Sequence, residues 1–265
     1  MSTQRGNMRG EKALYIRMNM KTLALGLLCT AAAIGAAAQE RTVQNRPYTD
    51  LRPFHFGIVI GTHLQDLELR NIGPQTVTLD DGTTVPADIG VDHDKWDGGF
   101  NVGILGEWRL SKAFQLRVAP TLYFGSRHLT YLNRLKTDSL GRGQTQSENM
   151  KTVYVGVSAD MIWASERFNN HRPYLMAGVS PVINLSNGTD LLKLKRYDIF
   201  AEVGLGCDFY LPFFKLRPEL KFMFSLTNSL DKGHADRLQD KSLRPYATAI
   251  DRTASRLVVL SFYFE

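Results

Sequence analysis

Apolar and polar residues alternate along most of the chain beyond residue 52. In the clearest stretch, residues 214–226 read FKLRPELKFMFSL, so that phenylalanine and leucine take turns with charged side chains. A period of two is the signature of a β-strand whose two faces meet different surroundings. Eight segments show it: 54–61, 99–110, 114–127, 151–163, 172–184, 197–210, 214–226 and 253–265. The pattern predicts an all-β protein with eight strands.

The connections between these segments alternate in length. Those at 111–113, 164–171 and 211–213 are short, whereas those at 62–98, 132–148, 186–196 and 227–252 are long. Short turns at one end and long loops at the other are typical of outer-membrane barrels. Aromatic residues also collect at the short-turn ends, as a membrane-interface girdle would: Phe54, Phe56, Trp108, Phe114, Trp163, Phe209, Phe214, Phe262 and Phe264.

A soluble sandwich or a lipocalin-like barrel would also alternate, because one face of its sheet is buried and the other is wet. The aromatic rim and the charge of the polar face favour the membrane instead. We therefore expect residues 52–265 to form an eight-stranded antiparallel transmembrane β-barrel in the cell outer membrane, surrounded by outer-membrane lipid.

The polar face is charged, with seven basic and six acidic side chains that nearly cancel. A buried charge is tolerated only when it is paired, and the interior of a small barrel is filled with side chains. The prediction is a luminal ion-pair network that makes the barrel a plug and not a pore, formed by Glu107, Arg109, Arg117, Asp160, Glu202, Asp208, Arg217, Glu219 and Lys221.

Two local features qualify the strand pattern. Proline removes a ladder hydrogen bond, so bulges or local breaks are expected near the four strand prolines, which are Pro120, Pro173, Pro181 and Pro218. The first long loop should contain its own hairpin, because residues 76–79 and 83–85 flank an Asp-Gly turn signal at 81–82.

The N-terminal residues have the features of an export signal. A basic start at Lys21 precedes an apolar run and three alanines, which predicts a signal peptide within 1–38, cleaved after Ala38, and a polar leader over 39–51. A membrane anchor is disfavoured because the apolar run is too short. Lipidation at Cys29 is disfavoured by the bulky Leu28 before it. The mature chain then holds only Cys207 and no intramolecular disulfide.

Composition argues against a nucleic-acid partner. Residues 1–38 contain five basic residues and one acidic residue, so their removal lowers the formal net charge from +6 to +2. No basic cluster remains elsewhere in the chain to serve as a nucleic-acid surface.

Four stretches resemble the PorT family of Bacteroidetes outer-membrane proteins, and the likeness covers roughly residues 47–265. They are LRPFHFGIVIGTHLQDLEL from Leu51, RPYLMAGVSP from Arg172, YLPFFKLRPELKFMFSLTN from Tyr210 and SRLVVLSFYFE from Ser255. The resemblance implies a non-catalytic component of type IX protein secretion, with other secretion-system or outer-membrane proteins as partners. The alternative is a small structural or adhesion-type barrel whose long outer loops bind ligands.

Two groups of side chains are candidates for a catalytic site and a metal site. Ser126 and His128 share an outward face, as in barrels that modify lipid, but Glu148 is expected to point inward. The acidic run at 92–97, with Asp92, His93, Asp94 and Asp97, offers oxygen ligands for a divalent cation in a spacing that matches no known loop. We predict no catalytic, cofactor-binding or metal site, no cofactor and no small-molecule substrate.

Overall fold

The computed structural model describes residues 43–78, 82–93, 95–137, 143–186, 191–238 and 240–265. The chain divides into two units, 1–44 and 45–265, and only Val43 and Gln44 of the first unit are described. The expected signal peptide and the first part of the leader lie outside the described residues.

The second unit is built from antiparallel strands. They are β1 (Phe54–Asn71), β2 (Gln75–Thr78), β3 (Thr84–Ala87), β4 (Ile89–Asp92), β5 (Asp97–Arg109), β6 (Phe114–Thr137), β7 (Gly143–Ala164), β8 (His171–Asn184), β9 (Tyr197–Tyr210), β10 (Lys215–Ser225) and β11 (Ile250–Phe264). β1 and β5 to β11 each pair with the next along the chain, and β11 pairs back with β1. The eight strands therefore form a closed ring, which confirms the predicted barrel.

Burial follows the predicted period of two. Along β8 and β9, exposed and buried residues alternate almost without exception. Ile58, Leu205 and Val157 face outward and stay exposed, while the charged side chains between such residues are buried. Since apolar side chains cover the outside, the ring is inverted relative to a water-soluble barrel. The helical segments of the described residues are short, at Thr49–Leu51, Lys232–Arg237, Lys241–Leu243 and Arg244–Ala247, and none is long and apolar enough to cross a membrane.

Three strands run further than the sequence pattern indicated. β1, β6 and β7 contain 18, 24 and 22 residues, about twice the ~10 that a bilayer requires. The outward apolar residues end near Leu64, Phe124 and Val258, and polar residues such as Glu68 and Arg256 follow. Beyond that level the outward face meets water, whereas inward residues such as Leu67, Leu129 and Met150 are buried in an apolar cluster. The pattern of apolar residues outside and polar residues inside therefore ends there, while the backbone ladder continues.

Three of the four strand prolines leave local breaks without register shifts, whereas Pro173 pairs with Cys207 in an uninterrupted ladder between β8 and β9. Pro120 interrupts the ladder between β5 and β6, where pairing stops at Gly103 and resumes at Gly106. Pro181 and Pro218 coincide with similar gaps toward β7 and toward β9. In each case the other neighbour stays paired, because the N–H and C=O of one residue in an antiparallel strand point to the same neighbour, so that a proline disturbs the ladder on one side only.

The long-loop end is covered by a folded cap. The expected hairpin is present as β2 and β3, with residues 79–81 outside the described residues. β4, which the sequence did not predict, extends the sheet by pairing with β6. We call the apolar cluster over this end the cap; its buried members are Leu67, Val77, Ala87, Ile89, Val91, Leu129, Tyr131, Met150, Leu191, Leu192, Leu194, Leu230, Ala249 and Ile250.

Candidate functional site: the charged lumen and its closures

Arg117 crosses the lumen in the half of the barrel near the short turns. Its side chain is fully buried, and Nη1 donates to Oε2 of Glu219 over 2.6 Å. Its Nε donates more weakly to Oε2 of Glu107 over 3.4 Å. Because β6 and β10 face each other across the ring, this pair fills the interior where a pore would otherwise run.

Arg217 is the second centre of the network. Its guanidinium contacts Glu107, Asp208 and the side chain of the last residue, Glu265, with 2.6 Å to Oε1 of Glu265. Lys215 pairs with Glu265 and lies 3.9 Å from Asp208. With Arg117 and Glu219, the network contains three cations and four carboxylates. Each of the three cations lies within ion-pair distance of at least one carboxylate, as buried charges require.

Two tyrosines complete the shell around Glu219. Tyr174 Oη donates to Oε2 over 2.8 Å, and Tyr263 Oη donates to Oε1 over 3.0 Å. The ring of Tyr263 also lies under the Arg117 guanidinium, 4.3 Å from its carbon. Both oxygens of Glu219 therefore have hydrogen-bond partners, which fix the orientation of its carboxylate.

The other predicted luminal residues lie outside this centre. Lys221 pairs with Glu202 over 2.8 Å, one layer further along the lumen. Asp160 is fully buried in the same layer, and its carboxylate accepts no hydrogen bond from the described residues. Arg109 is only half-buried and does not join the network; its Nη1 donates to the carbonyl oxygen of Asp50 over 2.8 Å.

Residues 45–51 of the leader, together with Arg52 and Pro53, lie across the short-turn end of the barrel. The Asp50 carboxylate accepts from Tyr210 Oη over 2.5 Å and lies 3.7 Å from Arg172. Arg167 stacks on the Tyr210 ring at 3.7 Å and donates to the carbonyl oxygens of Asn45 and Arg46. The lumen is thus covered at this end by the leader and at the other end by the cap.

At the alternative chemical site, no hydrogen bond joins Ser126 to His128 among the described residues. Ser126 and His128 are both half-exposed on the outside of β6. His128 Nδ1 lies 2.7 Å from Oδ1 of Asp97, and His93 bridges Asp97 to Asp66 at 3.3 and 3.0 Å. This chain of acids and histidines fastens the loop before β5 to β1 and β6.

The acidic run also has no metal-binding arrangement among the residues that the structure describes. Across the described residues, which omit Asp94, no three His, Cys, Asp or Glu side chains converge as metal ligands would.

Sequence reasoning missed several members of the network. Glu265 could have been placed by parity, since Tyr263 faces inward and the period is two. Tyr174 and Tyr263 have the same parity as their charged neighbours, but tyrosine is common on either face of a barrel wall. Asp50 carries no periodic signal, because its place depends on how the leader folds back over the mouth.

Comparison with known proteins places this geometry in a family. The family described as outer membrane protein beta-barrel domain matches residues 37–231, more than half of the chain. No curated protein matches.

Several solved structures are similar in fold. Neisserial surface protein A is 12% identical, with a TM-score of 0.39, covering 80% of this chain and 98% of that one. OprG from Pseudomonas aeruginosa is 11% identical, with a TM-score of 0.41 and coverages of 79% and 95%. Ail of Yersinia pestis is 13% identical, with a TM-score of 0.34 and coverages of 80% and 99%.

The inverted barrel, the charged lumen and the family match agree with one another. The chain belongs to the outer-membrane β-barrel domain family and resides in the outer membrane.

Proposed function

We propose that this barrel is a non-catalytic, non-conducting component of type IX protein secretion, similar to the PorT family, that acts through its periplasmic face. The observation that carries the proposal is that side chains fill the lumen and the leader covers it. The surface of the barrel is then the part that can contact other proteins. A closed barrel in this role would position or assemble other secretion proteins and would not pass cargo through itself.

The periplasmic turns have the character of a contact surface. Phe213 is 91% exposed at the tip of the turn between β9 and β10, and Phe168 is exposed on the turn between β7 and β8. Tyr48 and Leu51 of the leader are exposed at the same end. Aromatic side chains on turns beyond the strands favour a protein contact, because such residues are enriched at interface centres.

The resemblance in sequence is the second support. The stretch from Tyr210 that resembles the PorT family includes the exposed turn with Phe213 and the strand that carries Arg217, Glu219 and Lys221. The same stretch of sequence thus contributes charged residues to the filled lumen and places Phe213 on the turn at the periplasmic end.

The alternative function is ligand binding or adhesion through the extracellular end. It is favoured by the cap, which rises well beyond the apolar band and is held by Asp198, whose carboxylate accepts from the hydroxyls of Thr227 and Ser229 over 2.6 and 2.5 Å. An ordered external structure can present a constant surface to a ligand.

The test separates the two ends of the barrel in the native host. In a strain whose chromosomal copy carries Phe213→Ser and Phe168→Ser, we expect proteins with the type IX C-terminal sorting domain to accumulate in the periplasm, as in a gene deletion. A second strain replaces residues 227–249 with a short turn and should export normally. Heat-dependent gel mobility of each variant checks that the barrel has folded.

Each result decides between the functions. Normal export from the deletion strain would overturn the secretion role. Normal export from the turn variant, together with loss of cell or matrix adhesion from the loop variant, would favour the alternative. Val85→Ser, a substitution of an exposed apolar residue in the extracellular hairpin, is the matched control and should change neither readout.

A further inference from the structure

Two arginines face each other on the outside of the barrel, above the apolar band. Arg70 on β1 is the direct cross-strand partner of Arg252 on β11. Both side chains are exposed on the outward face, in line with Glu68 and Arg256. Like charges directly opposite each other in an antiparallel pair are destabilising, so this arrangement costs stability unless something else neutralises it.

The acids nearby are committed to other cations. Glu68 pairs with Arg256, and the Asp251 carboxylate accepts from Lys232 Nζ over 2.7 Å. Within the described part of the chain, neither guanidinium of the arginine pair makes a side-chain hydrogen bond or an ion pair. Asp66, which lies opposite Arg256, contacts His93. Four cations and three carboxylates therefore share this patch, and the excess of positive charge is located on the opposed arginines.

The two arginines line a cleft at the surface of β1 and β11. It has a volume of about 480 Å³ and is lined by Glu68, Leu69, Arg70, Arg252 and Ala254. The register shifts beside it, since Arg70 pairs with Arg252 while Asn71 pairs with Ile250, leaving Asp251 as the extra residue. Such a bulge redirects neighbouring side chains and increases the local twist, which opens space at the surface.

The local field is positive. A hydrogen bond from Lys232 and the charge of the same ammonium group lower the pKa of Asp251, and Arg70 and Arg252 lower it further. The carboxylate is thus held in its charged form without removing the excess positive charge around it.

The height of the pair above the membrane indicates which anions it meets. Val258 is the last outward apolar residue of β11, and Arg252 lies six residues beyond it. With a rise of ~3.4 Å per residue and a tilt of ~40°, Arg252 stands roughly 15 Å above the apolar band. At that height the outer wall of a Gram-negative barrel is surrounded by the phosphorylated inner sugars of the outer-leaflet glycolipid.

We propose that Arg70 and Arg252 form a binding site for a phosphorylated sugar of the outer-leaflet lipopolysaccharide. Each guanidinium donates to the phosphate oxygens in the two-pronged geometry that arginine favours, and Arg256 below contacts the region nearer the acyl chains. The bound anion neutralises the opposed charges. The inference concerns the extracellular wall and does not depend on the secretion role of the periplasmic face.

The experiment uses the full-length mature barrel refolded in zwitterionic detergent and titrated with rough-type lipopolysaccharide, with affinity measured by microscale thermophoresis. The double variant Arg70→Gln/Arg252→Gln should bind at least about tenfold more weakly, because charge-assisted hydrogen bonds are lost from both sides of the phosphate. Lys151→Gln is the matched control, since Lys151 is an exposed outward cation on the far side of the ring, and it should bind as the native protein does.

Two further arms identify the ligand. Lipopolysaccharide from which the phosphates have been removed should bind to the native barrel as weakly as intact lipopolysaccharide binds to the double variant. Millimolar inorganic phosphate should not displace the lipid; if it does, free phosphate is the ligand and the glycolipid assignment is overturned. Equal losses in the double variant and in Lys151→Gln would also overturn the site, because attraction would then follow total charge.

The unfolding temperature is the control for correct folding, because the proposal predicts that it does not fall in the double variant although lipid binding weakens. In detergent without lipid, the double variant should unfold at the same temperature as the native barrel or higher, since it removes a like-charge pair. A lower unfolding temperature would show that the arginines stabilise the protein by themselves, which would contradict the proposal.

Discussion

Arg117 on β6 and Glu219 on β10 stand on diametrically opposite strands of the ring, yet Nη1 of the arginine lies 2.6 Å from Oε2 of the glutamate. Because β6 and β10 are not neighbours, this contact is independent of the hydrogen-bond ladder of the wall. It links the two sides of the barrel through the lumen, as a strut would. Arg217 makes a second crossing, to Glu107, with Nη2 3.2 Å from Oε1. The small barrel is thus braced through its centre.

Breaking the central strut should be costly. Glu219→Leu leaves Arg117 buried without its closest partner and two tyrosine hydroxyls without an acceptor, so we expect a loss of about 3–5 kcal/mol in the free energy of unfolding. Urea unfolding in lipid vesicles, followed by tryptophan fluorescence, measures this change.

The double variant Arg117→Met/Glu219→Leu is the control for the strut. It removes both charges together, so its stability should recover much of the loss, as buried pairs replaced by apolar residues often do. Losses that simply add in the double variant would contradict a coupled pair and would indicate two independent contacts.

An inward glycine makes room for the tyrosine shell. A Cβ added at Gly206 would lie 2.4 Å from Oη of Tyr174 and 2.9 Å from the carbonyl oxygen of Pro218. Gly206→Ala should therefore displace Tyr174 from Glu219 and lower the unfolding free energy by about 1–3 kcal/mol. At the outward Gly106 a Cβ would meet only Phe56, at 3.7 Å, so Gly106→Ala should be nearly neutral in the same assay. Equal effects would contradict this packing role.

The strands were predictable from sequence because the membrane imposes a strict rule on them. Residues 197–210 match β9 at both ends, since lipid on one side and a charged lumen on the other preserve the alternation along the whole strand. The rule holds only within the apolar band. Beyond it the apolar residues of β6 and β7, such as Leu129 and Met150, point inward into the cap, so the pattern that marks a membrane strand ends there. β4 was not predicted, because its four residues are defined only by pairing with β6.

The sequence could predict which charged residues face the lumen, but not which of them form ion pairs with each other. Parity placed Glu107, Arg117 and Arg217 inside, yet which carboxylate meets which guanidinium depends on strand tilt and side-chain length across the ring. Arg109 shows the limit of parity, because at the end of β5 the lumen opens and its guanidinium reaches the leader carbonyl of Asp50 instead of the network.

The leader should be held mainly by Asp50. Asp50→Asn removes the charge that faces Arg167 and Arg172 while keeping an acceptor for Tyr210, so the leader should open more often. We expect faster hydrogen exchange in the peptide covering residues 45–53 and little change in the unfolding of the barrel. Asp251→Asn, at an exposed acid far from the leader, should leave that exchange unchanged. Unaltered exchange in Asp50→Asn would show that backbone contacts alone hold the leader.

Opening the leader should not open a channel. Beneath it, Arg117, Arg217 and their carboxylates occupy the lumen, and above them the cap closes the other end. In planar lipid bilayers, the native barrel and a variant lacking residues 39–51 should both stay at the baseline current. A steady conductance in the shortened variant alone would mean that the leader, and not the ion network, blocks the lumen.

The position of the apolar band can be tested with a single charge. Val157 lies on the outward face at the middle of the apolar stretch of β7, where the bilayer midplane is expected. Val157→Arg should make folding into vesicles less favourable by about 2–4 kcal/mol, because an arginine there must reach water past several apolar side chains. Leu132→Arg, also an outward apolar position but on the part of β6 beyond the band, should cost no more than about 1 kcal/mol. Equal costs would place the band elsewhere on the wall, and a greater cost at Leu132 would contradict the assignment of the long-loop end to the outside of the membrane.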